Sequence, residues 1–143
     1  MSIIEEKMIK LGGYILSKDG EREQLTVLPN PSLSDVENYI DALSLSSGAL
    51  SAWIDPKPEI GPYDLRLHAE CGRFIIMLCK YMEDGDHEVD DILNTEAEKR
   101  TTEILGKPYY ESSVTRNIDL IKMCFSDFLK KGNISPENLV TDW

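Results

Sequence analysis

The stretch Arg73–Tyr81, RFIIMLCKY, is apolar at six consecutive positions, Phe74 to Cys79. An extended chain points successive side chains to opposite faces, so both faces of this segment are greasy and both need cover. The pattern predicts the central strand of a sheet, with helices against one face and further chain or a partner protein against the other. Just upstream, Asp64–Glu70 alternates, with Leu65, Leu67 and Ala69 on one side and Arg66, His68 and Glu70 on the other. Cys71–Gly72 reads as a tight turn that joins the two segments into an antiparallel hairpin. Glu83–Asp84–Gly85–Asp86 marks a second turn, and His87–Asn94 returns as a more polar strand carrying Val89 and Ile92. A polar edge of this kind keeps a sheet from pairing with its neighbours.

Earlier in the chain, Met8–Ser17 (MIKLGGYILS) predicts a strand with a bulge at Gly12–Gly13. Lys18–Asp19–Gly20 supplies a turn, and Glu21–Leu28 is the candidate return arm. Pro29, Asn30 and Pro31 break that arm. Ser32 then caps a helix, with Asp35 three residues on to complete the capping pattern and Leu33, Val36, Ile40 and Leu43 on one stripe as far as Ser44–Gly48. Ala49–Asp55 is a further strand, and Pro56, Pro58, Gly61 and Pro62 make the next residues a loop. Thr95–Thr102 has no clear pattern, while Glu103–Tyr110 predicts an extended piece bent at Gly106–Lys107–Pro108. Ser113 or Thr115 caps a second helix that runs over about 115–131, with a broad apolar face from Ile118 to Leu129, Lys130 and Lys131 in its last turn and Gly132 beyond it. Ser135–Pro136 starts a short helical turn through Leu139. The sum is a single α+β domain over residues 1–143, a mainly antiparallel meander of about four to six strands packed by two main helices.

Composition narrows what such a domain does. The 143 residues carry a formal net charge of −11 at pH 7, which disfavours direct contact with nucleic acid or an anionic membrane and favours a basic partner. Three widely spaced cysteines, Cys71, Cys79 and Cys124, form no CxxC pair and suggest neither a disulfide framework nor a zinc ribbon; a reducing, cytoplasmic setting fits them. The N-terminal MSIIEEKMIK has acidic residues where an export signal carries positive charge, and no apolar run approaches a membrane span.

Candidate chemistry concentrates in Glu83–Asp91, which holds Glu83, Asp84, Asp86, Glu88, Asp90 and Asp91. A calcium-loop reading fails, because the sixth position from Asp84 is Val89 where a sharp turn needs Gly, and no bidentate Glu stands at the twelfth. What remains is either a solvated hairpin edge or a patch that docks a cationic partner, and these six carboxylates are the predicted partner-binding residues. Metal binding and nucleophilic catalysis find no constellation. Only His68 and His87 are available as imidazoles, on strands separated by the central one. Cys79 and Cys124 occupy apolar positions, and Cys71 has no visible activating base. No glycine-rich phosphate loop occurs. The expectation is therefore a non-enzyme with no catalytic residue, no metal and no cofactor.

The segments NPSLSDVENYIDAL, YDLRLHAECGRFIIMLCKYMEDGDHEV and EILGKPYYESSVTRNIDLIKMCFSDFLKKGNIS, which span most of Asn30–Ser135, resemble a family of small bacterial immunity proteins found at toxin-immunity loci, including contact-dependent growth inhibition systems. The resemblance implies a cytoplasmic inhibitor of a cognate toxin domain. Many such toxins are nucleases whose phosphate-gripping surfaces are basic, so an anionic inhibitor is steered toward them. No residue-level binding motif carries over, and the six carboxylates rest on charge alone. The expected partner is a basic protein surface, with the inhibitor itself favoured as a monomer. The alternative is a generic acidic interaction or homo-oligomerising domain without a toxin partner, using the central strand's apolar breadth, Trp53 or Trp143.

Overall fold

In the computed structural model the residues described are 8–17, 19–91, 101–110, 114–133 and 140–141. Nine-residue Arg73–Tyr81 is indeed a strand (β6) inside an antiparallel sheet, flanked by β5 (Gly61–Glu70) and β7 (His87–Asp91). The sheet has eight strands. Beyond β5 lie β4 (Ser47–Asp55) and β1 (Met8–Leu16), whose outer edge pairs with β2 (Arg22–Gln24) and β3 (Leu28–Pro29). At the opposite edge β10 (Val140–Thr141) pairs with β7. The predicted polar edge is thus one strand further in than expected. The helical turn expected over 135–139 lies outside the described residues.

Alternation decides what each face meets. Leu65, Leu67 and Ala69 of β5, with Phe74, Ile76 and Leu78 of β6, are almost wholly buried and face two helices, α1 (Leu33–Ser44) and α2 (Ile118–Lys131). Val36, Ile40 and Leu43 of α1 and Ile121, Phe125 and Phe128 of α2 complete this core, each large side chain worth ~1.5–3 kcal/mol when buried. An ion pair from Lys122 Nζ to Asp41 Oδ1, 2.7 Å, ties the helices together. Ser32 caps α1 as its sequence predicts: its side chain accepts from the Asp35 N–H and the Asp35 carboxylate accepts from the Ser32 N–H. Leu33, assigned to the apolar stripe, is 38% exposed because it stands at the first helical position, off the sheet.

Three predictions need correction. The cap of α2 is Asn117, whose side chain accepts from the Leu120 N–H; the helix therefore begins at Ile118. Thr115 is committed elsewhere, exchanging both backbone hydrogen bonds with Phe74 at 2.8 and 2.9 Å. Ser113 lies outside the described residues. Second, β1 carries no bulge, since its register with β4 is unbroken from Met8↔Asp55 to Leu16↔Ser47. Gly12 and Gly13 serve close approach instead. A Cβ on Gly12 would meet the Trp53 ring and Val27, and one on Gly13 would clash with the backbone of Ala49 and Leu50. Third, Pro62 lies within β5 rather than in the preceding loop. Pairing with β4 stops at Trp53↔Asp64, so at Pro62 the strand has a neighbour on one side only, β6, where it sits opposite Lys80 beside a register irregularity between Pro62 and Asp64; edges and bulges are where a sheet tolerates proline.

Glu103–Tyr110 is extended and bent, as expected, with the bend one residue earlier and tight enough to make a hairpin. Thr101–Ile104 (β8) and Lys107–Tyr110 (β9) form a separate hairpin turning at Leu105–Gly106, both at positive φ (53° and 79°). This hairpin covers the sheet face that the helices leave open. Ile104 and Leu105 pack with Ile75 and Val114, the Arg73 guanidinium donates to Thr102 Oγ1 at 2.7 Å and to the Glu103 carbonyl at 3.1 Å, and Tyr109 Oη sits 3.3 Å from His68 Nδ1. Both greasy faces of β6 are covered by the chain itself.

If the glycines serve close approach, Gly13→Ala destabilises by about 2–3 kcal/mol in urea denaturation, the cost of overpacking; a bulge would tolerate it at a few tenths. Burial, with Lys107 and Arg66 nearby, holds the His68 pKa below its usual value. The unfolded chain then takes up a proton at this residue first, near pH 6.5. Its contribution is intact above that pH and is lost as pH falls toward the lower folded-state value. The wild-type melting temperature should fall over that window more steeply than that of His68→Gln, and parallel curves would exclude this origin.

Candidate interaction surface

The acidic stretch is built on a tight turn at one end of the sheet. The Met82 N–H donates to the Asp86 carbonyl at 2.7 Å, the Gly85 N–H returns to Met82 at 3.1 Å, and the Asp84 carboxylate accepts from the Asp86 N–H at 3.0 Å. Gly85, at φ 87°, closes the loop. Glu83, Asp84 and Asp86 are exposed at this tip. Glu88 is half-buried and lies 3.6 Å from Lys80, so it is partly neutralised. Asp90 and Asp91 pair through their backbones with Leu78 and Met77 on one side and Thr141 and Val140 on the other; their side chains lie outside the described residues. Of the six predicted residues, three stand together at an accessible tip.

A second region gathers residues that charge counting missed. Ile60, in the loop before β5, is 58% exposed and Met82 39%. With Tyr81, Glu83, Asp84 and Lys80, the last 3.6 Å from Glu88, they line a cleft of about 570 Å³. Tyr81 is held by stacking on Tyr63, ring centroids 4.2 Å apart. On the other side of Ile60 a groove of about 380 Å³ is lined by Ile9, Ile54 and Leu129, with Lys130 and Lys131 at the C-terminal end of α2. The loop's Pro and Gly content marks it as irregular; only the fold reveals that it separates grooves of opposite charge.

Among the described residues the histidines and cysteines stand apart from one another. His68 and His87 stand on β5 and β7 with β6 between them, opposite Ile75 and Tyr81 respectively, six residues or about 20 Å apart along that strand. Among the described residues no three His, Cys, Asp or Glu side chains are placed to hold a metal ion. Cys124 is buried in the helix core, which pushes its thiol up to about 12, and Cys79 is buried in β6. Cys71 is exposed at φ 51° in a cleft of about 580 Å³ shared with Arg22, Glu70 and Ser46. Glu70 there is engaged by Arg73 at 3.0 Å, and no histidine lines the cleft.

One buried charge is unusual. Asp64 is 8% exposed, its Oδ2 accepts from Arg66 Nε at 2.8 Å, and its Oδ1 has no hydrogen-bond partner among the described residues. Burial raises its pKa, opposed by the Arg66 guanidinium. Trp53, its cross-strand neighbour on β4, lies against Gly12 and is half-buried, so part of this indole is already used in packing. The apolar breadth of β6 is likewise consumed by the hairpin and the helices; Trp143 lies outside the described residues. No described helix is long and apolar enough to cross a membrane.

No curated protein matches the chain. Among solved structures, the crystal structure of a hypothetical protein from Neisseria gonorrhoeae has the same fold, with a TM-score of 0.82 and 28% sequence identity over 95% of this chain and 96% of its own. That likeness carries the α+β architecture, helices and sheet alike, and its description names no activity. Residues 8–138 match the profile of DUF6911, a family of unknown function, and the chain belongs to that family.

Proposed function

We propose that this chain is an immunity-type inhibitor, which binds a cognate toxin domain through its acidic β6–β7 end and blocks a cationic, nuclease-like surface. The observation that carries the reading is the tip itself. Glu83, Asp84 and Asp86 project from one hydrogen-bonded turn, exposed, and are in no ion pair among the described residues. A rigid turn presents its carboxylates at little entropic cost, and a chain at −11 draws a cationic partner toward it. The sequence resemblance to immunity proteins supports the choice of a toxin as that partner.

Exposed Ile60 and Met82 beside the tip add what charge lacks. Carboxylates at a rim mainly set the association rate and orientation, whereas desolvated apolar side chains slow dissociation. The same pair of side chains also favours the second reading, an interaction domain that pairs with itself.

Two measurements test the inhibitor. The chain should co-purify with the toxin domain encoded beside its gene and restore growth to cells expressing that domain; no binding and no protection would exclude the reading. Reversing Glu83, Asp84, Asp86 and Glu88 to lysine should slow association by about tenfold or more and flatten its salt dependence. Unchanged stopped-flow kinetics would remove these residues from the interface.

A further inference from the structure

We propose that two copies of this chain pair through the surface around Ile60, each placing its acidic cleft against the basic groove of the other. Ile60 lines both depressions. On one side the lining includes Tyr81 and Met82, the carboxylates Glu83 and Asp84, and Lys80, whose ammonium lies 3.6 Å from Glu88 and so leaves the cleft net acidic. On the other the lining includes Ile54 and Leu129 with Lys130 and Lys131. An exposed apolar ridge flanked by opposite charges is self-complementary under a two-fold rotation. With the axis close to Ile60, each carboxylate pair meets the other copy's ammonium pair, and the contact is made twice.

The groups needed are available. Glu83, Asp84, Lys130 and Lys131 are all exposed, and none is in an ion pair among the described residues. Ile60, at 58% exposure, and Met82, at 39%, would be withdrawn from water by the same contact. Net charge opposes association only at a distance. At −11 the copies repel, but at physiological ionic strength that repulsion is screened beyond about 8 Å, whereas facing carboxylate and ammonium groups lie well inside that length. The inference departs from the monomer expected of the inhibitor and does not rest on the inhibitor reading, because its test contains no toxin.

Sedimentation equilibrium of the full chain over micromolar to millimolar concentration should show a reversible monomer–dimer equilibrium. Ile60→Asp should weaken it by about tenfold or more, as should the reversals Glu83→Lys with Asp84→Lys and Lys130→Glu with Lys131→Glu. Each reversed variant sets like charges against like in its own dimer. Mixed one to one, the two should form a heterodimer, since every pair then joins opposite signs, and the fourfold variant carrying all these reversals should dimerise like the wild type. Unchanged far-ultraviolet circular dichroism confirms that each variant is folded, as the altered side chains are exposed. A wild type that stays monomeric throughout, a dimer indifferent to Ile60→Asp, or reversed variants that remain monomeric when mixed would each overturn the proposal.

Discussion

The two-sided burial of β6 is the constraint from which the architecture follows. Phe74, Ile76 and Leu78 point to the helices, and Ile75 points the other way into Ile104 and Val114. A strand apolar on both faces cannot form the outer wall of a two-layer sandwich with one face in water. The chain answers with unequal layers. Two helices cover the length of one face, and a short hairpin covers one end of the other, held by Arg73, which extends from β6 itself to Thr102 and Glu103. Local order at that hairpin is therefore coupled to the strand it protects. Its turn needs Leu105 and Gly106 in the left-handed region, a backbone cost that docking offsets.

What was legible in the sequence is what local chemistry decides. Ser32 and Asp35 complete their capping pattern within four residues, and Gly132 closes α2 at φ 68° with its N–H on the Phe128 carbonyl. Alternation in Asp64–Glu70 identified the buried face of β5 because each side chain's fate follows from its parity. The failures share a different origin. Thr115 is as good a helix cap as Asn117 by residue type, but the backbone bridge to Phe74, some forty residues away, holds it extended. Gly12–Gly13 looks the same whether the glycines permit a bulge or a close approach, and only the position of Trp53 and Ala49 on the neighbouring strand distinguishes them. Ile60 sits among prolines in a loop whose sequence has no period, so its exposure depends on where the end of α2 falls.

The distribution of charge matters more than its sum. Buried Asp64 and half-buried Glu70 have their guanidinium partners, Arg66 and Arg73, at 2.8 and 3.0 Å, and Lys122 ties α1 to α2 through Asp41. Cations near the fold's interior are largely spent on holding it together. Glu83, Asp84 and Asp86 at the β6–β7 tip and the two lysines ending α2 are in no ion pair among the described residues, and the tip sits at the end of a strand pair anchored in the core. Charge held on a hydrogen-bonded turn beside exposed apolar surface suits recognition, because the apolar area favours holding a partner and the charges select which partner and in what orientation.

The two proposed contacts draw on the same carboxylates, and this links them thermodynamically. A toxin seated on Glu83 and Asp84 would exclude the second copy from that cleft, so the two proposed associations would compete by mass action. Lys130 and Lys131 of a second copy would then act as an internal stand-in for the cationic partner, occupying the acidic cleft until a better ligand displaces them. Such a dimer would lower the apparent affinity of every ligand for that cleft by the same factor, so the ratio between partners is unchanged while the concentration needed for occupancy rises for all of them. Self-complementarity around Ile60 would in this way keep weakly held cationic strangers below occupancy at concentrations where a tighter partner still binds.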